Sequence, residues 1–325
     1  MSGSSVRHPE LPGTRINAWK GVLSRACKRI VWNWQLYLIL SPVLAYFIIF
    51  EYIPMYGVQI AFKDFFANKG IWGSPWAGFK HFEMFFDSFY LERLLKNTIL
   101  ISLYTLAVSF PIPIVLALMI HEVSGKAFKR FVQTITYAPH FLSTVVMVGM
   151  MFIFLHPDRG IVNHFLGLFG VGPVAFMNEP EWFKTLYVFS GVWQGMGFAS
   201  IIYLAALTGV DPQLHEAAKV DGASRLRRIW HINVPGIMPT AVIILILSVG
   251  GLLSIGFEKI FLMQNENFIL LETSEVISTY VYKQGILGAQ YSFAAAVGLF
   301  NSVINFTLLV LVNTFARRVN ETSLW

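Results

Sequence analysis

Eight histidines, one cysteine and 18 acidic residues are the groups in this chain that could hold a metal or move a proton. Their spacing gives them little to do together. No H-E-x-x-H occurs, and no two histidines stand four apart. His156, Asp158 and His164 could approach a cation, but their spacing fits no zinc pattern, so no metal site is expected. Cys27 is alone, which rules out an intramolecular disulfide framework or a thiolate cage. The nearest approach to a phosphate-cradling loop is Gly125-Lys126-Ala127, which lacks the preceding glycine and the hydroxyl residue that the P-loop requires. The chain therefore has no P-loop for ATP. An enzyme would need a nucleophile with a base, paired acids or a metal cluster. Only isolated polar groups are present, so no catalytic residue is assigned and no enzyme is expected. His140, beside Pro139 in an apolar stretch, reads either as a functional intramembrane group or as a neutral ring satisfying backbone freed by the proline.

One segment is built rather than merely connecting. Between Gly209 and Gly236, Asp211-Pro212 offers an N-cap followed by the residue best suited to a first helical position. Leu214, Ala217 and Ala218 then share a small apolar face. Gly222 stands where a left-handed cap would end that helix. A second helix can start at Ser224, with Arg225, Arg227 and Arg228 crowding its beginning. Pro235 and Pro239 are expected to break the chain beyond it. The small side chains of Ala217 and Ala218 allow close approach of another backbone, and Glu216 offers that partner a charge. An ordinary pair of interfacial helices is the plainer reading of the same residues.

The elements around this segment are apolar. Hydrophobic residues make up 55% of the 325-residue chain and charged residues 13%, against about 25% charged in a soluble domain. The mean hydropathy is +0.60. Six stretches approach the roughly 20 apolar residues needed to cross a bilayer: Ile30–Phe50, Asn97–Ile120, Phe131–Leu155, Thr185–Thr208, Ile237–Phe257 and Phe293–Phe315. They must be helical, since lipid leaves no partner for open backbone groups. The alternating ten-residue pattern of a β-barrel is absent. Pro111 and Pro113 are expected to kink the second span. Gly191-x-x-x-Gly195 with Gly197 suits close helix packing, or flexing, in the fourth. Ile161–Phe176, interrupted by glycines, reads as an interfacial hairpin or lid.

With the N-terminus in the cytoplasm, the inner segments carry 15 of the 24 Lys and Arg, and the outer loops carry 12 of the 18 acids. The positive-inside rule thus puts both termini in the cytoplasm. The expected organisation is a basic N-terminal segment over 1–29, a membrane domain over 30–317 with the inner loop 209–236, and a tail over 318–325. The net charge of +6 is accounted for by this asymmetry, and no nucleic-acid partner is inferred.

Glu216-Ala217-Ala218, then Gly222, then Ile232-Asn233-Val234-Pro235 resembles the EAA loop, E-A-A-x3-G-x9-I-x-L-P, of binding-protein-dependent ABC importer permeases. Val234 stands where leucine is usual. Tyr52 to Asp64, Asn97-Thr98 and Tyr137-Ala138-Pro139 are similar to segments of the carbohydrate-uptake group, in particular permeases for pectin fragments and alginate. The resemblance implies an all-α integral membrane protein with the six transmembrane helices of the type I ABC importer permease fold, in a bacterial inner membrane. It implies a second permease subunit, two ATPase subunits that bind ATP and Mg, a solute-binding protein and an oligosaccharide substrate. It assigns Glu216, Ala217, Ala218, Asp221, Gly222 and Pro235 to ATPase coupling.

For a sugar path, aromatic and amide groups at mid-span are the candidates, because sugars stack on ring faces and hydrogen-bond to polar groups. These are Trp193, Gln194, Tyr203, Asn301 and Asn305. Asn301 and Asn305 share a helix face, and both could equally join helices. The acidic outer loops sit awkwardly with direct capture of an anionic sugar. A secondary transporter of a small polar solute is the alternative; its usual intramembrane charges and broken inverted repeats are missing.

Overall fold

The computed structural model describes residues 32–320. The basic segment 1–29 with Cys27, the start of the first span and the last five residues lie outside that range. Apart from an isolated bridge between Lys63 and Trp76, the described residues form helices and loops. Five helices are long and apolar enough to cross a membrane, and a bent pair makes a sixth if it is one span.

The chain divides into two units at Gln59/Ile60. The first unit holds α1 (Trp34–Phe47), which runs into a wide π-turn over Ile48–Tyr52. The cause is local. Pro54 lacks an N–H, and its ring would press on the carbonyl one turn back. Widening the turn lets the Ile53 N–H reach the carbonyl of Ile48 instead.

The second unit contains the remaining spans. The second span is α2 (Leu91–Ser109) followed by α3 (Pro111–Glu122). The two meet at Phe110-Pro111 within one helical span, Leu91–Glu122, so the prolines interrupt the helix there without a sharp bend. The third span is not one straight helix. Its halves, α4 (Lys126–Tyr137) and α5 (Thr144–Phe154), are bent by 101° across a 3₁₀ turn at Ala138–Phe141. Pro139 begins the break, and the Ser143 hydroxyl caps the new helix by accepting from the Val146 N–H at 3.3 Å.

The fourth span, α6 (Pro180–Thr208), is the hub. It packs against α2, α3 and α4, and against α8 (Val234–Gly250) of the fifth span. Gly197 lets α4 come close: a Cβ there would lie 2.0 Å from the carbonyl oxygen of Thr136. Gly195 faces open space, so the close approach falls at Gly197 and not along the whole Gly191–Gly195 face.

The fifth span corrects two expectations. Pro235 and Pro239 do not break the chain, because the apolar helical stretch is continuous over Arg225–Gly250. A π-turn at Ile229–Asn233 precedes Pro235 as its counterpart precedes Pro54, and Pro239 lies inside the helix. The span also ends at Gly250 rather than Phe257. There Gly250-Gly251 opens a turn, and the Leu253 N–H leaves the helix to donate to Asn305 Oδ1 at 3.0 Å.

Between the fifth and sixth spans lie α9 (Phe257–Gln264) and α10 (Ile277–Tyr282). The sixth span is α11 (Tyr291–Asn320), which packs along α8. Three apolar clusters hold the bundle. Ile101, Met147, Val188 and Ile260 join α2, α5, α6 and α9. Leu94, Ile277 and Val297 join α2, α10 and α11. Ala117, Tyr203, Leu207 and Ile237 join α3, α6 and α8.

Residues 161–176 form a short helix, Ile161–Gly167, and a turn through Gly170. The Asn163 side chain ties the hairpin together by exchanging hydrogen bonds with both backbone groups of Val174.

Candidate functional site

The loop 209–236 has the local structure its sequence dictates. Asp211 Oδ1 accepts from the Gln213 N–H at 2.9 Å, and Pro212 opens α7 (Pro212–Val220). The helix ends in a Schellman turn: Ala223 N–H donates to Ala218 O at 2.8 Å, and Gly222 N–H donates to Lys219 O at 3.1 Å. Gly222 has φ +72°, as that turn requires. Ser224 then caps Arg225–Arg228.

The outer face of the loop is open. Glu216 and Ala217 are exposed, as are Asp221 and Pro235, and Ala218 is half-buried. Val220 and Leu226 are 88% and 78% exposed, an apolar pair that water does not favour. The inner face is anchored. Asn233 is fully buried and donates from Nδ2 to Glu122 Oε1, at the end of α3, at 3.2 Å. Beside it, the rings of His121 and His215 lie 6.4 Å apart. The end of the loop is thus tied to the second span where the fifth begins.

Within the bundle, α2, α3, α6 and α8 enclose a cavity of 360 Å³. Its wall carries hydroxyls from Ser102, Thr105, Tyr187, Tyr203, Ser248 and Ser254. The oxygens of Ser102 and Thr105 are buried without a hydrogen-bond partner. Unpaired buried hydroxyls are costly, and a polar molecule in the cavity would satisfy them. Lys259 of α9 borders this region, donating to the Tyr187 carbonyl at 2.6 Å and lying 4.5 Å from the Tyr187 ring. Burial pushes its ammonium group down to about 8.

The five path candidates are not brought together. Tyr203 is buried at the cavity wall. Asn305 reaches it indirectly: its Nδ2 donates to Ser254 Oγ at 3.0 Å, and its Oδ1 holds Leu253. Asn301 is half-buried, and its Oδ1 has no partner. Trp193 is 42% exposed, and neither it nor Gln194 lines the cavity. Gln194 instead donates to the Leu142 carbonyl at 2.8 Å, satisfying backbone at the bend of the third span. That is the role foreseen for His140, which is exposed and stacks on Phe198 with ring centroids 4.0 Å apart. The cavity hydroxyls of Ser102, Thr105 and Ser109 were missed, though their spacing marks one polar stripe on an apolar helix.

Asn97 and Thr98 also acquire a role. Asn97 Nδ2 donates to the carbonyls of Glu272 and Glu275 at 2.9 and 3.2 Å, and Thr98 Oγ1 accepts from the Ile277 N–H at 3.1 Å. Arg93 and Lys283 both pair with Glu275. The start of α2 thus clamps the segment leading into α10. His156 is engaged in its own turn, its Nδ1 accepting from the Asp158 N–H at 3.2 Å. Among the described residues no three metal-ligating groups converge.

Comparison with known proteins agrees with the resemblance in the loop. Residues 109–321 match the family described as "Binding-protein-dependent transport system inner membrane component". The polygalacturonan/rhamnogalacturonan transport system permease protein YteP of Bacillus subtilis (strain 168) is 42% identical over 91% of this chain and 92% of its own length. Protein LplB of the same organism is 40% identical over 95% and 96%. The fold matches, with a TM-score of 0.84, a 42% identical chain in the crystal structure of a bacterial ABC transporter involved in the import of the acidic polysaccharide alginate, covering 91% of this chain and 99% of that one. A second structure of an alginate transporter, in complex with an alginate pentasaccharide-bound periplasmic protein, matches equally well, with a TM-score of 0.84 at 41% identity. The chain belongs to the binding-protein-dependent transport system inner membrane components, the permease subunits of ABC importers.

Proposed function

We propose that this chain is one permease half of an importer that carries oligosaccharides or polysaccharide, alginate among the candidates, across the bacterial inner membrane. It works with a second permease, two ATPase subunits and a solute-binding protein. Both termini face the cytoplasm, and ATP and Mg are bound by the ATPases. Relatives that handle polygalacturonan, rhamnogalacturonan and alginate support this substrate class.

The observation that carries the reading is the loop 209–236: a capped, exposed helix followed by a turn that Asn233 anchors to Glu122. Glu216, Ala217, Ala218 and Asp221 form its docking side, Gly222 its turn, and Pro235 the start of the fifth span. ATP binding that closes the ATPases stabilises one of two states through differential contacts at this loop. The spans then expose the hydroxyl-lined cavity to alternate sides. Tyr203, Ser102 and Thr105 serve the sugar there by hydrogen bonding and ring contact. Asn301 lies on the same helix face as Asn305, and Trp193 on an exposed face of α6 suits contact with the partner permease.

The test is uptake by the four-subunit complex in proteoliposomes with the loaded binding protein outside and ATP inside. Saccharide uptake that requires ATP supports the reading. Uptake driven by an ion gradient without ATP would favour a secondary transporter.

A further inference from the structure

At the opposite end of α6 from the loop, a cavity of 670 Å³ lies between the start of α2, the start of α6 and residues 268–273. Lys184 on its wall is 24 residues before Thr208, which is about 36 Å along a helix. The cavity is thus remote from the ATPase side, while Tyr187 of the hydroxyl-lined cavity lies one turn along α6 from Lys184.

Its wall carries three cations, Arg93, Lys96 and Lys184, and three aromatic rings, Phe89, Tyr90 and Phe268. Arg93 is committed: it pairs with Glu275 and stacks 5.0 Å from the Tyr90 ring. Lys96 and Lys184 form no ion pair with any described residue, although Glu92 and Glu272 share the wall. Two like charges in one concave site repel, and an anion between them relieves that repulsion. Phe89 and Phe268 are 91% and 84% exposed, leaving flat apolar faces beside the charges. Rings flanking cations in a recess of this size suit a saccharide whose C–H face stacks while its carboxylate meets the ammonium groups.

We infer that this recess is a receiving site for an acidic sugar, with Lys96 and Lys184 binding a uronate carboxylate and Phe89 and Phe268 stacking on the ring. The inference rests on the sugar-import reading and narrows it to carboxylated sugars. Within acid-rich outer loops, Lys96 and Lys184 offer that carboxylate two ammonium groups that no described acid pairs with.

The experiment uses the whole complex with its binding protein in phosphatidylcholine vesicles. The probes are a galacturonate tetramer and its methyl-esterified form. Relative to the native complex, Lys96→Gln/Lys184→Gln is expected to raise the half-saturating concentration of the acid roughly tenfold. The response to the ester changes far less, and Lys96→Arg/Lys184→Arg restores the acid response. Equal effects on acid and ester, or none, would overturn the proposal. So would weaker docking of the empty binding protein, which would make the recess a protein contact, or an effect seen only when phosphatidylglycerol is added, which would make it a lipid site. A native complex that responds to no saccharide would sink the import reading itself.

Discussion

The side-chain amide of Asn233 donates to the Glu122 carboxylate at 3.2 Å, joining the residue two before Pro235 to the last residue of α3. This one contact ties the exposed loop to two spans at once. Asn233→Ala takes this donor away from the half-buried Glu122 carboxylate, at a cost of about 1–3 kcal/mol. The expected outcome is a complex that still retains its ATPase but loses most of its sugar stimulation. ATP hydrolysis with and without loaded binding protein reads this directly; full stimulation in the variant would remove the contact from the coupling route.

Gly197 and Gly195 should behave oppositely. A methyl at Gly197 meets the Thr136 carbonyl at 2.0 Å, whereas one at Gly195 meets nothing within 4 Å. Gly197→Ala must push α4 from α6, costing about 1–3 kcal/mol or more. Thermal unfolding in detergent should show a clear fall for Gly197→Ala and almost none for Gly195→Ala.

Gly222 is required for its backbone and not for space, since a Cβ there would meet no atom within 4 Å. At φ +72° alanine costs about 1 kcal/mol and valine more, because branching at Cβ further disfavours the left-handed region. Gly222→Val should therefore weaken ATPase retention more than Gly222→Ala. Equal retention by the two would argue against the turn as the determinant.

Asn305→Leu strands the Leu253 N–H and frees Ser254 at the end of α8. It should lower stability by about 1–3 kcal/mol. Asn301→Leu removes an oxygen that has no partner and should be milder. A melting comparison of the two separates helix joining from path lining, which their shared face alone does not.

The loop was legible in the sequence because its signals are local. Asp211, Pro212, Gly222 and Ser224 each act on backbone within a few residues. The spans were legible because apolar length is a local property too. The 101° bend of the third span was not, since Pro139 marks a break without fixing the angle, and the Gln194 amide that satisfies Leu142 at the bend comes from another helix. Pro235 misled for a related reason: a proline stops a regular helix, but a π-turn ahead of it lets the helix run on. The cavity was hidden because Ser102, Tyr203 and Ser254 come together only through packing. The same holds for the recess that joins Lys96 to Lys184.

The most direct test of the account is co-purification of an ATPase from the same genome with the tagged chain. The loop is either intact or has residues 211–235 replaced by a flexible linker of equal length. The account predicts retention by the intact chain only, with Glu216→Ala retaining less than the native loop. A linker variant that elutes as a folded, monodisperse permease and still holds the ATPase at the native ratio would contradict it.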